Sequence, residues 1–458
     1  MLAGLIQRDV VRIALMAMRI FSPTRRDVLA GLGASAAGLG LTADLGAATL
    51  PGTTELALQP RPADLTLRPG LSATPVWEFS ATSAAGEVRL KRGDRCELSF
   101  RNDLPVPAAV TWRGLDGAAA AEPLLGRGPV AAGASEKSMI SMPHAGTLMA
   151  DLRLLEDGMT RPVRPLPVIV QETEPVTVDR DEVFLVEDWR LAADGTAMVP
   201  GSTGGDVGAI YTVNGKIAPD LHLRANERLR FRFINGCQRA VIAMKIEGVE
   251  VTVMALDGQP AEPFVARNGA LVLPPGGRAD VFVDGTAPAG SASPVLLHDG
   301  REARPIARLL GSTEPPLRPT RLPPAEPLPS NGLPARFDLK NALRFELPLG
   351  ALERGWTRPA SFSPSAAPAF RARGGRAVVL ALNNPGPVVA VFHLHGHHFR
   401  LLDRLDDGWK PYWLDTLAVE PGQTQRIAFA ATYPGRWLLE SIAADWAAPR
   451  LLRWYAVE

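Results

Sequence analysis

Three stretches of this chain repeat one another at a domain-sized interval, and that repetition limits the fold more than any other feature. The first is Gly93-Asp94-Arg95-Cys96-Glu97-Leu98-Ser99-Phe100-Arg101-Asn102. The second is Asn226-Glu227-Arg228-Leu229-Arg230-Phe231-Arg232-Phe233-Ile234-Asn235. The third is Gly375-Arg376-Ala377-Val378-Val379-Leu380-Ala381-Leu382-Asn383. Each opens on a turn, continues as a largely alternating apolar strand, and closes on an Asn that tolerates turn geometry. The closing residues lie 133 and 148 positions apart. A second element repeats in phase with the first. Ala132-Gly133, Pro275-Gly276-Gly277 and Pro421-Gly422 each lead into a further alternating strand, at Lys137–Met142, Ala279–Asp284 and Thr424–Phe429. Three copies of one β-sandwich account for this pattern.

The copies set the domain boundaries. Domain 1 spans about 52–170 and domain 2 about 171–310. Residues 311–334 hold eight prolines and read as an extended surface connector, which leaves 335–458 as domain 3. No long amphipathic helix is evident. With 43 Gly and 42 Pro in 458 residues, the composition suits short strands joined by turns.

The first 48 residues read differently. Arg25-Arg26 precedes an uncharged, small-residue stretch from Val28 to Ala43, too short and too rich in Gly and Ala to span a membrane. This is the pattern of a twin-arginine signal peptide (1–48), cleaved near Gly46-Ala47-Ala48 and leaving no transmembrane anchor. Met18-Arg19 would open a more usual leader than Met1. Export to the periplasm is therefore expected. The net charge of +1, without a basic stripe, excludes an ordinary nucleic-acid binder. Cys96 and Cys237 occupy matching places in two copies and are expected to be separate core residues rather than a disulfide.

The segment carrying chemistry is Phe392-His393-Leu394-His395-Gly396-His397-His398-Phe399, with four of the seven His of the chain. Alternation along a strand would put His393, His395 and His397 on one face and His398 on the other. Neutral imidazoles suit copper or zinc, but two on one strand need further ligands from elsewhere.

These residues resemble the multicopper oxidases. Domain 3 carries the His-Leu-His-Gly-His-His-Phe segment, Leu414-Asp415-Thr416, Glu420-Pro421-Gly422 and Pro434-Gly435-Arg436-Trp437. Domain 2 carries Val213-Asn214-Gly215, Leu256-Asp257-Gly258 and Leu273-Pro274-Pro275-Gly276-Gly277-Arg278-Ala279-Asp280. The resemblance implies an all-β chain of three consecutive cupredoxin-like Greek-key domains. It also implies ten His and one Cys as copper ligands, more His than this chain has. In place of the first His-x-His motif stand Thr111-Trp112-Arg113, and in place of the second Asp151-Leu152-Arg153. The third keeps only His393 and His395, with Ala390 ahead of them. The fourth reads Glu440-Ser441-Ile442, then Trp446, and the axial Met maps to Leu451. A blue copper centre needs a thiolate and two imidazoles, which Ser441, Ala390 and Trp446 do not supply.

Three readings of the histidine cluster follow. His393 and His395 are structural, hydrogen-bonded in a charged core where Arg113, Arg153, Asp151 and Glu440 satisfy one another. Or they hold one metal ion, copper being the family's, with help from Asp151 or Glu440. Or the chain is a working oxidase, which the ligand count opposes. His144, His222 and His298 match no ligand position, and a loop or surface role is expected for them. Copper-free members of the superfamily, among them an exported cell-division protein, imply a monomeric, non-catalytic envelope protein with envelope or division proteins as partners. The alternative is a copper-dependent oxidoreductase with at most one metal site. Binding of a small ligand in the old substrate cleft is a third possibility.

Overall fold

The computed structural model describes residues 53–458 apart from 69, 81–85, 203–206, 351 and 404–407. The leader expected over residues 1–48, with its cleavage site, lies outside the described residues. Among the described residues no helix is long and apolar enough to cross a membrane.

Six sheets form three sandwiches. Strands Thr53–Leu65 to Leu166–Gln171 make two four-stranded sheets. Strands Arg180–Trp189 to Ala303–Gly311 make sheets of six and five strands. Strands Leu343–Pro348 to Arg450–Val457 make sheets of four and five. Each pair of sheets clasps one apolar core, and among the described residues the helical content is confined to 3-10 turns. The architecture is the all-β, cupredoxin-like fold expected from the repeats. The repeated segments fall on equivalent central strands, Arg95–Arg101, Arg228–Asn235 and Ala377–Asn383. Each runs parallel to the first strand of its own copy and antiparallel to the strand after the Gly turn. Cys96 and Cys237 are free and buried in different cores, as the sequence suggested.

The domain-2 copy departs from simple alternation. All eight residues of Arg228–Asn235 are buried, including the three arginines. Arg228 pairs with Asp284, Arg230 with Glu172 and Asp280, and Arg232 with Asp181 and Asp280. Buried guanidiniums persist only where carboxylates meet them. Here Thr147 of domain 1 joins them, accepting from Arg232 at 2.9 Å and donating to Asp280 at 2.5 Å. The face that alternation alone would give to water is thus an interdomain surface.

Beyond Gly311, which ends the strand Ala303–Gly311, the proline-rich segment forms no strand, and its carbonyls at Pro315, Arg318 and Pro323 accept from Arg224, Asn226 and Arg228. Leu328 packs against Met254, Ala255 and Phe282. Domain 1 approaches domain 2 closely at Gly146, where any Cβ would lie 2.0 Å from the carbonyl oxygen of Gly258.

Candidate functional site

The histidine segment enters the three-domain junction on the strand Ala390–Leu394, which lies between Gly435–Ala443 and Thr416–Val419 in its sheet. In that register His393 faces Glu440 on one side and Thr416 on the other. The strand ends at Leu394, and Gly396 takes a positive φ of 72°. The turn breaks the alternation, so the expected common face for His393, His395 and His397 is not formed. His393 and His395 keep their rings 4.7 Å apart. His397 turns instead into the domain-3 core among Phe429, Tyr433, Trp437 and Tyr455.

Hydrogen bonds assign each ring a state. The Tyr455 hydroxyl donates to the His395 carbonyl at 2.7 Å, so it accepts from His397 Nδ1–H, also at 2.7 Å. The Tyr433 amide then donates to His397 Nε2 at 3.1 Å. His397 is held as one neutral tautomer, and burial pushes its pKa down to about 4. His393 Nδ1 donates to the Asp415 carbonyl at 3.0 Å. Its Nε2 is buried with no hydrogen-bond partner. Burial, reinforced by the Arg113 guanidinium, holds His393 well below the ordinary imidazole range.

His395 is the opposite case. Its Nδ1 lies 2.9 Å from Glu122 and its Nε2 2.7 Å from Glu440. Burial alone would disfavour the imidazolium, but the two carboxylates outweigh it and raise the pKa to about 9. Glu440 in turn meets Arg450, and Arg113 at 3.5 Å. Burial raises its pKa, yet Arg450 and Arg113 prevail and hold it well below the usual carboxylate range. Arg450 reaches Glu156 at 3.5 Å, and Glu156 pairs with Arg239.

The carboxylates expected to assist the histidines therefore part company. His393, His395 and Glu440 bring three ligand-type atoms within 4.8 Å of one another. Asp151 stands outside that group, its carboxylate taken by Arg153 at 2.7–2.9 Å. Arg153 also donates to the carbonyls of Gly236 and Cys237 in domain 2. The ion-pair network expected among Arg113, Arg153, Asp151 and Glu440 exists as two separate pairs, Arg113–Glu440 and Asp151–Arg153, of which the first is extended by Arg450, Glu156 and Arg239. Glu122, Glu156, Arg239 and Arg450 belong to no motif, and no local signal marks them in the sequence.

A second cluster lies beside the first. His398 Nδ1 is 2.9 Å from Asp116, and its Nε2 is 2.9 Å from the Asp257 carbonyl. His144, expected in a loop or at the surface, is buried here with its Nδ1 3.4 Å from Asp116. His144 does lie in the loop between the strands Ser135–Ser141 and Gly146–Asp151, but it is not at the surface, because Asp116, Gln259 and His398 close around it. His222 is exposed, as expected, whereas His298 ends the strand Ala292–His298 and is half-buried rather than at the surface.

Arg278 fastens the junction. Its five N–H groups meet five acceptors: the carbonyls of Thr147, Gly276 and Asp257 and both carboxylate oxygens of Asp415. All three domains are represented in that set. Around the positions named for a blue copper site, Ala390, Ser441, Trp446 and Leu451 are buried, and Arg190 stacks on the Trp446 ring at 4.4 Å. An apolar cleft of about 70 Å³ between domains 2 and 3 is lined by Leu256, Phe264, Leu273, Leu401, Tyr412 and Leu414.

Three sandwiches meeting at a histidine-bearing junction define a multidomain cupredoxin-type protein. Models of the multicopper oxidase family match residues 336–458 and 181–291, together just over half of the chain. The chain belongs to the multicopper oxidase superfamily. Among solved structures it is similar to a multicopper oxidase from Pseudomonas thermotolerans, at 26% identity and TM-score 0.74, covering 89% of this chain and 100% of that one. It is also similar to Lac15 from a marine microbial metagenome, at 27% identity and TM-score 0.70 with the same coverage. The multicopper oxidase McoA of Aquifex aeolicus shares the fold at 17% identity and TM-score 0.68, over 90% of this chain and 98% of that one. Comparison with curated proteins finds no match.

Proposed function

We propose that this protein is a non-oxidase member of its superfamily: an exported, periplasmic, monomeric scaffold whose partners are proteins of the cell envelope or division machinery. One observation carries the reading. Glu440, in the motif position of a copper-binding histidine, is engaged by Arg450 and Arg113 and bonded to His395. Guanidiniums in a buried cavity repel a metal ion: a dication ~5 Å from one of them is opposed by roughly 7 kcal/mol at an effective dielectric of about 20. Two imidazoles and one already-paired carboxylate do not fit a three-copper cluster. The thiolate of a blue centre is missing as well, because Cys96 and Cys237 are buried in the cores of domains 1 and 2. The likeness to a copper-free, twin-arginine-exported division protein and the paired Arg25-Arg26 support the cellular role.

The test has a chemical and a cellular arm. Protein purified after growth with copper should carry no blue absorption and should not oxidise phenols. A deletion strain should lose envelope integrity or cell separation under salt and detergent stress. Three or four coppers per chain, or phenol turnover, would overturn the non-oxidase reading; a wild-type deletion strain would overturn the scaffold role.

A second reading is favoured by the unpartnered Nε2 of His393. With Nδ1–H donated to a carbonyl, that nitrogen presents its lone pair beside His395 and Glu440, as a metal ligand would. One metal per chain, lost on His393→Ala, would establish it.

A further inference from the structure

We infer that the junction of the three domains contains a divalent transition-metal site, best suited to zinc, formed by Asp116, His144 and His398. This site is separate from the His393–His395–Glu440 group. The three residues are buried, and one ligand-type atom of each lies within 4.8 Å of the others.

The hydrogen-bond directions carry the inference. Asn331 accepts from the Ala145 amide through its Oδ1, which fixes its Nδ2 as the donor to Gln259 Oε1 at 2.9 Å. Gln259 must then present Nε2–H to His144 Nδ1 at 3.1 Å. His144 Nδ1 is therefore a lone pair. That nitrogen also lies 3.4 Å from Asp116 Oδ2, and no hydrogen bond reaches this buried oxygen. The Nδ1 lone pair is taken by Gln259 in the metal-free protein, but Asp116 Oδ2 has no donor at all, and a cation beside both atoms would satisfy the carboxylate oxygen and take Nδ1 in place of the Gln259 N–H.

His398 completes the set. Its Nε2–H, donated to the Asp257 carbonyl, holds the ring so that Nδ1 points at Asp116, the orientation second-shell carbonyls impose on metal-ligating imidazoles. His398 Nδ1 lies 2.9 Å from Asp116 Oδ1 and His144 Nδ1 3.4 Å from Asp116 Oδ2, so the carboxylate sits between the two imidazoles at separations near the ~3.3 Å ligand–ligand edge that bond lengths near 2.0–2.1 Å give a tetrahedron. Gln259 Nε2, 3.1 and 3.5 Å from the two imidazole nitrogens, sits where a water in the fourth position would accept its hydrogen bond. Two nitrogens and one oxygen suit zinc; binding displaces the proton that His398 otherwise shares with Asp116. The ion would join domain 1, through Asp116 and His144, to domain 3, through His398, with domain 2 holding the outer groups.

Full-length mature protein, stripped with chelator, is titrated with Co²⁺ as a spectroscopic stand-in and then with Zn²⁺. The expected result is one ion per chain with the visible bands of tetrahedral cobalt, bleached by zinc. His144→Gln should weaken binding by at least ~100-fold. His393→Gln should leave the bands intact. Circular dichroism of His144→Gln should match the wild type, and Asp116→Asn serves as the second ligand variant. Absence of cobalt bands, bands that survive both His144→Gln and Asp116→Asn, or bands abolished by His393→Gln would overturn the assignment. Metal retained by His393→Gln and lost by His144→Gln would leave the scaffold reading intact, so the two proposals fail separately.

Discussion

Replacing Arg278 by Lys keeps the charge and removes the geometry, which makes it the sharpest probe of the junction. The guanidinium fills five acceptors drawn from three domains, whereas an ammonium offers three N–H groups. At least two acceptors are left without a donor. A buried acceptor deprived of its partner costs roughly 1–3 kcal/mol, so Arg278→Lys should destabilise by about 2–6 kcal/mol. Asp415 makes the upper part of that range the better expectation. Burial pushes its pKa up, but Arg278 and, less strongly, His393 and His398 outweigh it and hold it well below the carboxylate range. Arg278→Leu removes that cation entirely and adds the roughly 3–5 kcal/mol of an unpaired buried charge. The assay is differential scanning calorimetry with limited proteolysis, because three sandwiches need not unfold as one. For a domain of this size each kcal/mol moves the midpoint by about 3–5 °C, so Arg278→Lys should lower the first transition by ~10 °C or more. Combined with Asp415→Asn, the two changes should be non-additive by at least about 1 kcal/mol. A Lys variant melting within about 2 °C of the wild type would refute the claim that the five bonds hold the junction together.

Other consequences follow from the same contacts. Gly396→Ala places a Cβ 2.2 Å from the Trp437 ring at a positive φ, so it should destabilise domain 3 by at least ~2 kcal/mol, read as a lowered midpoint by circular dichroism. Arg450→Met leaves Glu440 and Glu156 short of a cation and should cost about 3–5 kcal/mol; adding Glu440→Gln should recover part of that loss in urea unfolding. In metal-free protein the His395 imidazolium, held to about 9 by Glu122 and Glu440, contributes stability that is complete below the unfolded pKa near 6.5. That stability is lost as pH rises through 9, so the melting temperature should fall across this interval, and less so in Glu122→Gln. Burial of neutral His397, with a pKa near 4, acts on the other side: stability should decline as pH drops from about 6.5 towards 4.

The histidine segment shows how far a local pattern carries. Period-two alternation placed His393 and His395 together, and the end of the strand Ala390–Leu394 with the residue that follows it keeps their rings 4.7 Å apart. The same alternation grouped His397 with them, and Gly396 undid it by turning the chain. Glu440 was legible because it occupies a motif position; Asp151 occupied another, yet Arg153, two residues away, captured it. Arg278 and Asp257 stood inside recognisable motifs, but nothing in those motifs says that one guanidinium serves three domains. His144 carried no signal at all, since its neighbours Asp116, Gln259 and His398 come from sequence positions 28, 115 and 254 residues away.

The sequence by itself determined the three-fold sandwich, because strand alternation, turn glycines and closing asparagines are local properties repeated three times. It also determined which residue types stand at each motif position of the superfamily. The tertiary structure alone decided which carboxylate met which cation, and in what protonation state. Those outcomes depend on burial and on distances of a few ångströms between residues hundreds of positions apart, and electrostatic energies in a water-excluded junction are set by such distances rather than by order along the chain.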